Sequence, residues 1–137
     1  MDREALLMQA LLPLTGRILL ASIFLWSGIK AIRTFEDTAE MMGDQGIFIP
    51  QFLLVGAITC LMLGSLALIL GLKARWGALL LIVFLIPTTI VFHPPNGNEE
   101  ELLQFMKNLA LIGALLLIVS AGPGPVSFDG PAPSMKK

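Results

Sequence analysis

The chain has 137 residues, of which 55% are hydrophobic and only 14% charged, and its mean hydropathy is +0.83. A soluble domain of this size must show water a polar surface, so the composition excludes both that and disorder, and points to one domain immersed in a bilayer. The net charge of −1 leaves no basic face for nucleic acid; the single cysteine, Cys60, excludes an internal disulfide, a CxxC pair and a multi-cysteine metal or iron–sulfur site; the single histidine, His93, excludes a bis-histidine haem within one chain.

The start, Met1-Asp2-Arg3-Glu4, carries mixed charge, and Arg17 interrupts the apolar stretch behind it, so a cleaved signal peptide is not expected and the N-terminus is expected to be retained. Ala5–Met8 with Leu11-Leu12 predicts a short interfacial helix. A transmembrane helix needs about 20 mostly apolar residues. The first such stretch is 13–32, opened by Pro13 and containing Arg17 and Lys30. Residues 33–51 carry Glu36, Asp37, Glu40 and Asp44 beside Met41, Met42 and Ile47-Phe48-Ile49, which predicts a short amphipathic helix and turn over the mouth of the bundle. The second span is 52–72, without charge, and a tight basic turn, Gly71-Leu72-Lys73-Ala74-Arg75, leads to the third, 76–93. Pro94-Pro95-Asn96-Gly97 is a stop and turn. Asn98-Glu99-Glu100-Glu101 then resembles a capped helix start before the fourth span, 102–121. Gly122-Pro123-Gly124-Pro125 ends it, and a polar tail to Lys136-Lys137 is expected to fray.

No run alternates with period two, and an open sheet would leave unpaired backbone groups in hydrocarbon. The expected fold is therefore all-α, an integral membrane antiparallel four-helix bundle. Arg3, Arg17, Lys73, Arg75, Lys136 and Lys137 fall on one side; Lys30, Arg33 and Lys107 fall on the other with most of the acids. The first side is expected to be cytoplasmic, with both termini inside.

Polar residues at membrane depth mark candidate sites. Lys30 follows Arg17 by 13 residues, about 20 Å of helix, so both cannot lie outside a hydrocarbon core of about 30 Å. Either each is slightly inset and snorkels, or Lys30 faces the bundle on a face shared with Trp26 and Thr34. His93, ending the third helix, and Asn108, in the fourth, lie in the same outer half as Lys30. His93 is read as a helix-end cap or a hydrogen-bonding partner of a ligand. Asn108 is read as interhelical glue or a ligand contact. Lys107 is expected to snorkel outward, Cys60 to pack inertly, and Trp26 and Trp76 suit interface anchors. Gly56, Gly64 and Gly71 with Ala57, Ser65 and Ala67 give the second helix a surface for close contact, within the chain or between chains.

These residues together resemble the DoxX family of small four-helix bacterial inner-membrane proteins. The resemblance rests on Phe24-Leu25-Trp26-Ser27-Gly28-Ile29-Lys30, on Phe35, Glu36 and Thr38 with the Gly46…Pro50 turn, on Gly71–Arg75, on Gln104-Phe105-Met106-Lys107-Asn108 through Gly113, and on Gly122-Pro123-Gly124 with Ser127-Phe128-Asp129. It spans about residues 14–130. Two positions depart from the family pattern: Ala31 stands where the family usually has its lysine, and Leu61 where it often has an acid. A buried charge without a partner is costly, so the resemblance does not carry a charge relay onto this chain.

The resemblance implies an accessory membrane subunit of a redox or stress-response complex, as in relatives associated with thiosulfate–quinone oxidoreductase. It also allows a sterol-like or lipid ligand, or a role in receptor assembly, as in similar eukaryotic bundles. The expected site is an outer-facing apolar pocket for quinone or lipid among Trp26, Lys30, His93 and Asn108, with Trp26 stacking and His93 and Asn108 meeting a polar oxygen. The chain supplies no electron carrier, so catalysis by it alone is not expected and a redox centre would belong to a protein partner. The alternatives are a non-enzymatic scaffold or assembly factor, alone or as a homo-oligomer, and a small oligomeric transporter.

Overall fold

A computed structural model of the chain describes residues 2–130 and shows five helices: α1 (Arg3–Arg33), α2 (Phe35–Asp44), α3 (Pro50–Leu70), α4 (Ala74–Phe92) and α5 (Glu99–Ala121). Four of them, all but α2, are long and apolar enough to cross a membrane. The expected break before Pro13 does not occur. Asp2 caps α1, its carboxylate accepting from Ala5 N at 2.9 Å, and the helix runs through Pro13 without interruption. Apolar, good helix-forming residues on both sides carry it across the one hydrogen bond that proline removes.

Local chemistry sets the other boundaries. Thr34 alone separates α1 from α2, its N–H and hydroxyl both donating to Lys30 O. Ile49 adopts a left-handed conformation, and Pro50 then opens α3. Gly71, also left-handed at φ 67°, closes α3. Asn98 accepts from Glu101 N at 2.9 Å, and Glu99, Glu100 and Glu101 fill the first turn of α5, where the helix dipole favours anions.

The helices pack in series, α1 on α3, α3 on α4 and α4 on α5, while α2 lies against α3 and reaches α1. Between α1 and α5 there is no comparable packing, so the ring has an open seam. The main core joins Ala21 and Phe24 of α1 with Leu61 and Leu68 of α3, Ala78, Leu81 and Leu85 of α4, and Leu115 of α5. The small residues of α3 serve this packing. A Cβ on Gly64 would lie 2.5 Å from Leu81 Cγ and 3.2 Å from Gly77 O, and one on Gly77 would lie 2.5 Å from Ala67 Cβ. α3 and α4 therefore meet within the chain at near backbone contact. Outside the core, large apolar side chains such as Leu19, Phe52, Leu63, Val83, Ile90 and Leu117 are exposed on every long helix, as a lipid-facing surface requires.

At the α3–α4 turn the structure corrects two expectations. Residues 122–130 are not frayed; they fold back across the bundle end (Lys136 and Lys137 lie outside the described residues). Phe128 N donates to Leu70 O and Asp129 N to Gly71 O. The Asp129 carboxylate accepts from Lys73 N at 2.7 Å and Ala74 N at 2.9 Å, capping α4, whose own N-cap residue, Lys73, supplies no side-chain bond. Arg17 does not snorkel. It is 2% exposed, with Nη1 donating to Leu68 O at 2.9 Å and Nη2 to Val126 O. The left-handed turn at Gly71 leaves terminal carbonyls of α3 without helical donors, and the guanidinium fills that need while pinning the tail. A Cβ on Gly71 would collide with Arg17 Nη1 and Ser127 Cβ. Sealing Arg17 at this end also removes the conflict of two inset charges on α1.

Candidate functional site

The far end of the bundle, under α2, holds a cavity of about 500 Å³. Its floor is apolar: Ile23 and Phe24 of α1, Leu61 of α3, Phe84 and Leu85 of α4, Leu111 of α5. Its upper rim is polar: Thr38 of α2 and its C-cap Gln45, Thr88 of α4 and its C-cap His93, Lys107 and Asn108 of α5. Met41 and Met42 of α2 close part of the roof, so the amphipathic segment does sit over the bundle mouth. The size and the mixed lining are those of a small-ligand site.

Each polar group is placed by a local cause. Asn108 is 7% exposed, and its Nδ2 donates to Thr89 Oγ1 at 3.0 Å, which ties α5 to α4 and fixes the carboxamide at the cavity wall. Thr88, its hydroxyl donating to Phe84 O at 2.8 Å, presents the neighbouring surface of α4. His93 is the C-cap residue of α4, its N–H donating to Thr89 O at 3.0 Å, and its half-buried ring lies between this cavity and a second groove that includes Asn98, Glu101 and Gln104. Lys107 Nζ donates to Gln104 Oε1 at 2.6 Å, holding an exposed cation on the rim.

Of the four residues singled out from the sequence, the cavity brings together His93 and Asn108. Trp26 and Lys30 are not among its lining residues; Trp26 is 61% exposed and Lys30 exposed. The reason is helical phase: Phe24, Ser27 and Ala31 hold the inward stripe of α1, and Trp26 and Lys30 fall outside it. Lys107, expected to point away, supplies the rim cation instead. Thr38, Gln45 and Thr88 were not recognised from the sequence; the Thr88-Thr89 pair inside an otherwise apolar helix was the available signal. Cys60 is half-buried and absent from the lining. Among the described residues no group of three or more His, Cys, Asp or Glu side chains could hold a metal ion.

Ala31 and Leu61, the two positions that depart from the family pattern, both line the cavity. At these two positions the wall carries a methyl group and an isobutyl group, neither of them charged.

A lipid-facing exterior, four membrane-long helices and an interhelical cavity define a four-span integral membrane protein. A model of the DoxX family matches residues 12–94, and the chain belongs to that family. It is 34% identical over 116 residues to the inner membrane protein YqjF of Escherichia coli (strain K12), covering 85% of this chain and 88% of that one. It is 27% identical over 126 residues to the inner membrane protein YphA of the same strain, covering 88% and 90%. It is also 30% identical over 125 residues to the Surfeit locus protein 4 homolog of Drosophila melanogaster, covering 86% of this chain but 40% of that protein. No solved structure matches. The chain is thus a multi-pass inner-membrane protein of the DoxX family.

Proposed function

We propose that this chain is an accessory membrane subunit that binds a quinone or a lipid-like molecule in the cavity beneath α2. The observation that carries the reading is the division of that cavity into an apolar floor and a polar rim. A ring or chain fits against Phe24, Phe84 and Leu111, while His93, Asn108 and Lys107 meet an oxygen-bearing head. The open seam between α1 and α5 gives a path from the bilayer that does not cross water. With Ala31 and Leu61 in the wall, the ligand is held by apolar contact and neutral hydrogen bonds rather than by a buried ion pair. Arg17, Lys73 and Arg75 at the opposite end favour a cytoplasmic setting for that end and for both termini, with the cavity toward the outer leaflet. Electrons, if the complex moves any, enter from a redox partner.

The test is photoaffinity labelling of the purified protein with an azidoquinone. Saturable labelling that maps to α4 and α5 and falls on His93→Ala supports the reading. Labelling that does not saturate, or that His93→Ala leaves unchanged, overturns it. The scaffold alternative loses part of its support, because Gly64 and Gly77 are used within the bundle; Gly56, with open space around it, remains available.

A further inference from the structure

The end of the seam away from the cavity is a second, separate groove of about 340 Å³, between α1 and the C-terminal turns of α5. Arg17 lines it. Arg17 is 2% exposed, and while its two Nη groups meet backbone carbonyls, its Nε has no partner among the described residues. A buried charged group with an N–H left unpaired is unfavourable, and its uncompensated charge favours an anion nearby. Gly16, on the same wall, points to open space: a Cβ there meets nothing within 4 Å. A glycine inside a helix weakens it, and among the described residues no neighbour uses the room it leaves. Leu20, Ala114 and Ile118 continue the wall as an apolar strip. At the mouth, Arg75 lays its guanidinium against Gly122, which also lines the groove. The one nearby carboxylate described here, Asp129, has both oxygens engaged by Lys73 N and Ala74 N.

We propose that this groove is a binding site for one anionic phospholipid, its phosphate against Arg75 and over the buried charge of Arg17, and one acyl chain along Gly16, Leu20, Ala114 and Ile118. The charge chooses the occupant. A helix of a second copy would bring apolar side chains and no anion to Arg17, and a zwitterionic lipid would bring a cation alongside its phosphate. Forked guanidinium donors suit phosphate oxygens. The site does not depend on what occupies the cavity beneath α2.

The test is native mass spectrometry of the full chain released from nanodiscs of equal parts dioleoyl-phosphatidylcholine and dioleoyl-phosphatidylglycerol. One phosphatidylglycerol per chain should survive, about tenfold favoured over phosphatidylcholine. Gly16→Leu, whose Cβ meets no described protein atom within 4 Å and whose side chain extends into the groove, should abolish that preference without lowering helicity or melting temperature. Arg75→Gln should reduce it, and glycerol phosphate added in solution should not displace the lipid. Thr88→Phe, in the other cavity, should leave it unaltered. Equal retention of the two lipids, full retention in Gly16→Leu, displacement by glycerol phosphate, or a second copy of the chain in place of lipid overturns the proposal.

Discussion

Replacing Arg17 by methionine removes the two bonds that join α1, the end of α3 and the tail, while keeping the unbranched stem that packs in the groove. Each bond from a charged donor contributes about 1.5–3 kcal/mol, so the gross loss is about 3–6 kcal/mol. Against this, the variant no longer buries a cation or leaves Nε unpaired, which returns about 1–3 kcal/mol. Taking the middle of each range, the net expectation is a destabilisation of about 2.5 kcal/mol, concentrated at one end of the bundle. Val126 loses its donor, so the tail should loosen and Asp129 should cap α4 less well. Unfolding in mixed micelles of increasing dodecyl sulfate fraction, followed by far-ultraviolet circular dichroism, gives the stability change. Limited proteolysis gives the exposure of residues 122–130. Arg17→Lys should recover only part of the loss, because one ammonium cannot reproduce the fork that spans both carbonyls. A stability change in Arg17→Met below about 0.5 kcal/mol, with the tail as protected as before, would falsify the reasoning: Arg17 would then reach the headgroups and hold nothing.

Gly64→Leu should destabilise by at least about 1–3 kcal/mol in the same assay, because the new side chain meets Leu81 and the Gly77 backbone with no room to move; a neutral result means that α3 and α4 are not in close contact. Asn108→Leu should lose about 1 kcal/mol through the bond to Thr89, and labelling of the cavity should fall with it; unchanged stability and labelling together remove Asn108 from the site. Ala31→Lys should destabilise on its own, and adding Leu61→Glu should restore at least half of the loss, since both side chains face one cavity; strictly additive effects would show that the two positions do not meet.

The bundle was legible because bilayer burial writes itself into composition: stretches of about 20 apolar residues between Pro, Gly and charge clusters leave little choice of fold. The Asn98 cap, the Gly71 turn and the amphipathic segment over the mouth were legible for the same reason, each being a local backbone need met by a residue close in sequence. What a linear reading missed depends on rotation and on distant partners. Lys30 and Lys107 are both cations near the same end, and only the phase of their helices decides that Lys107 reaches the cavity and Lys30 does not. Arg17 was read as an inset charge because its acceptors, Leu68 O and Val126 O, are backbone atoms 51 and 109 residues away. Asp129 was read as part of a loose tail because it caps a helix that begins 55 residues earlier. Backbone acceptors have no residue signature, so no motif announces such contacts.

The most direct test of the central claim, that the space beneath α2 holds an apolar molecule with a polar head, is an experimental map of the protein taken from its membrane in native nanodiscs. An elongated non-protein density between Phe24, Phe84 and Leu111, ending within hydrogen-bonding distance of His93 or Asn108, is the expected result. A closed interior, with Phe84 and Phe92 repacked into the space and α5 drawn against α1, contradicts it.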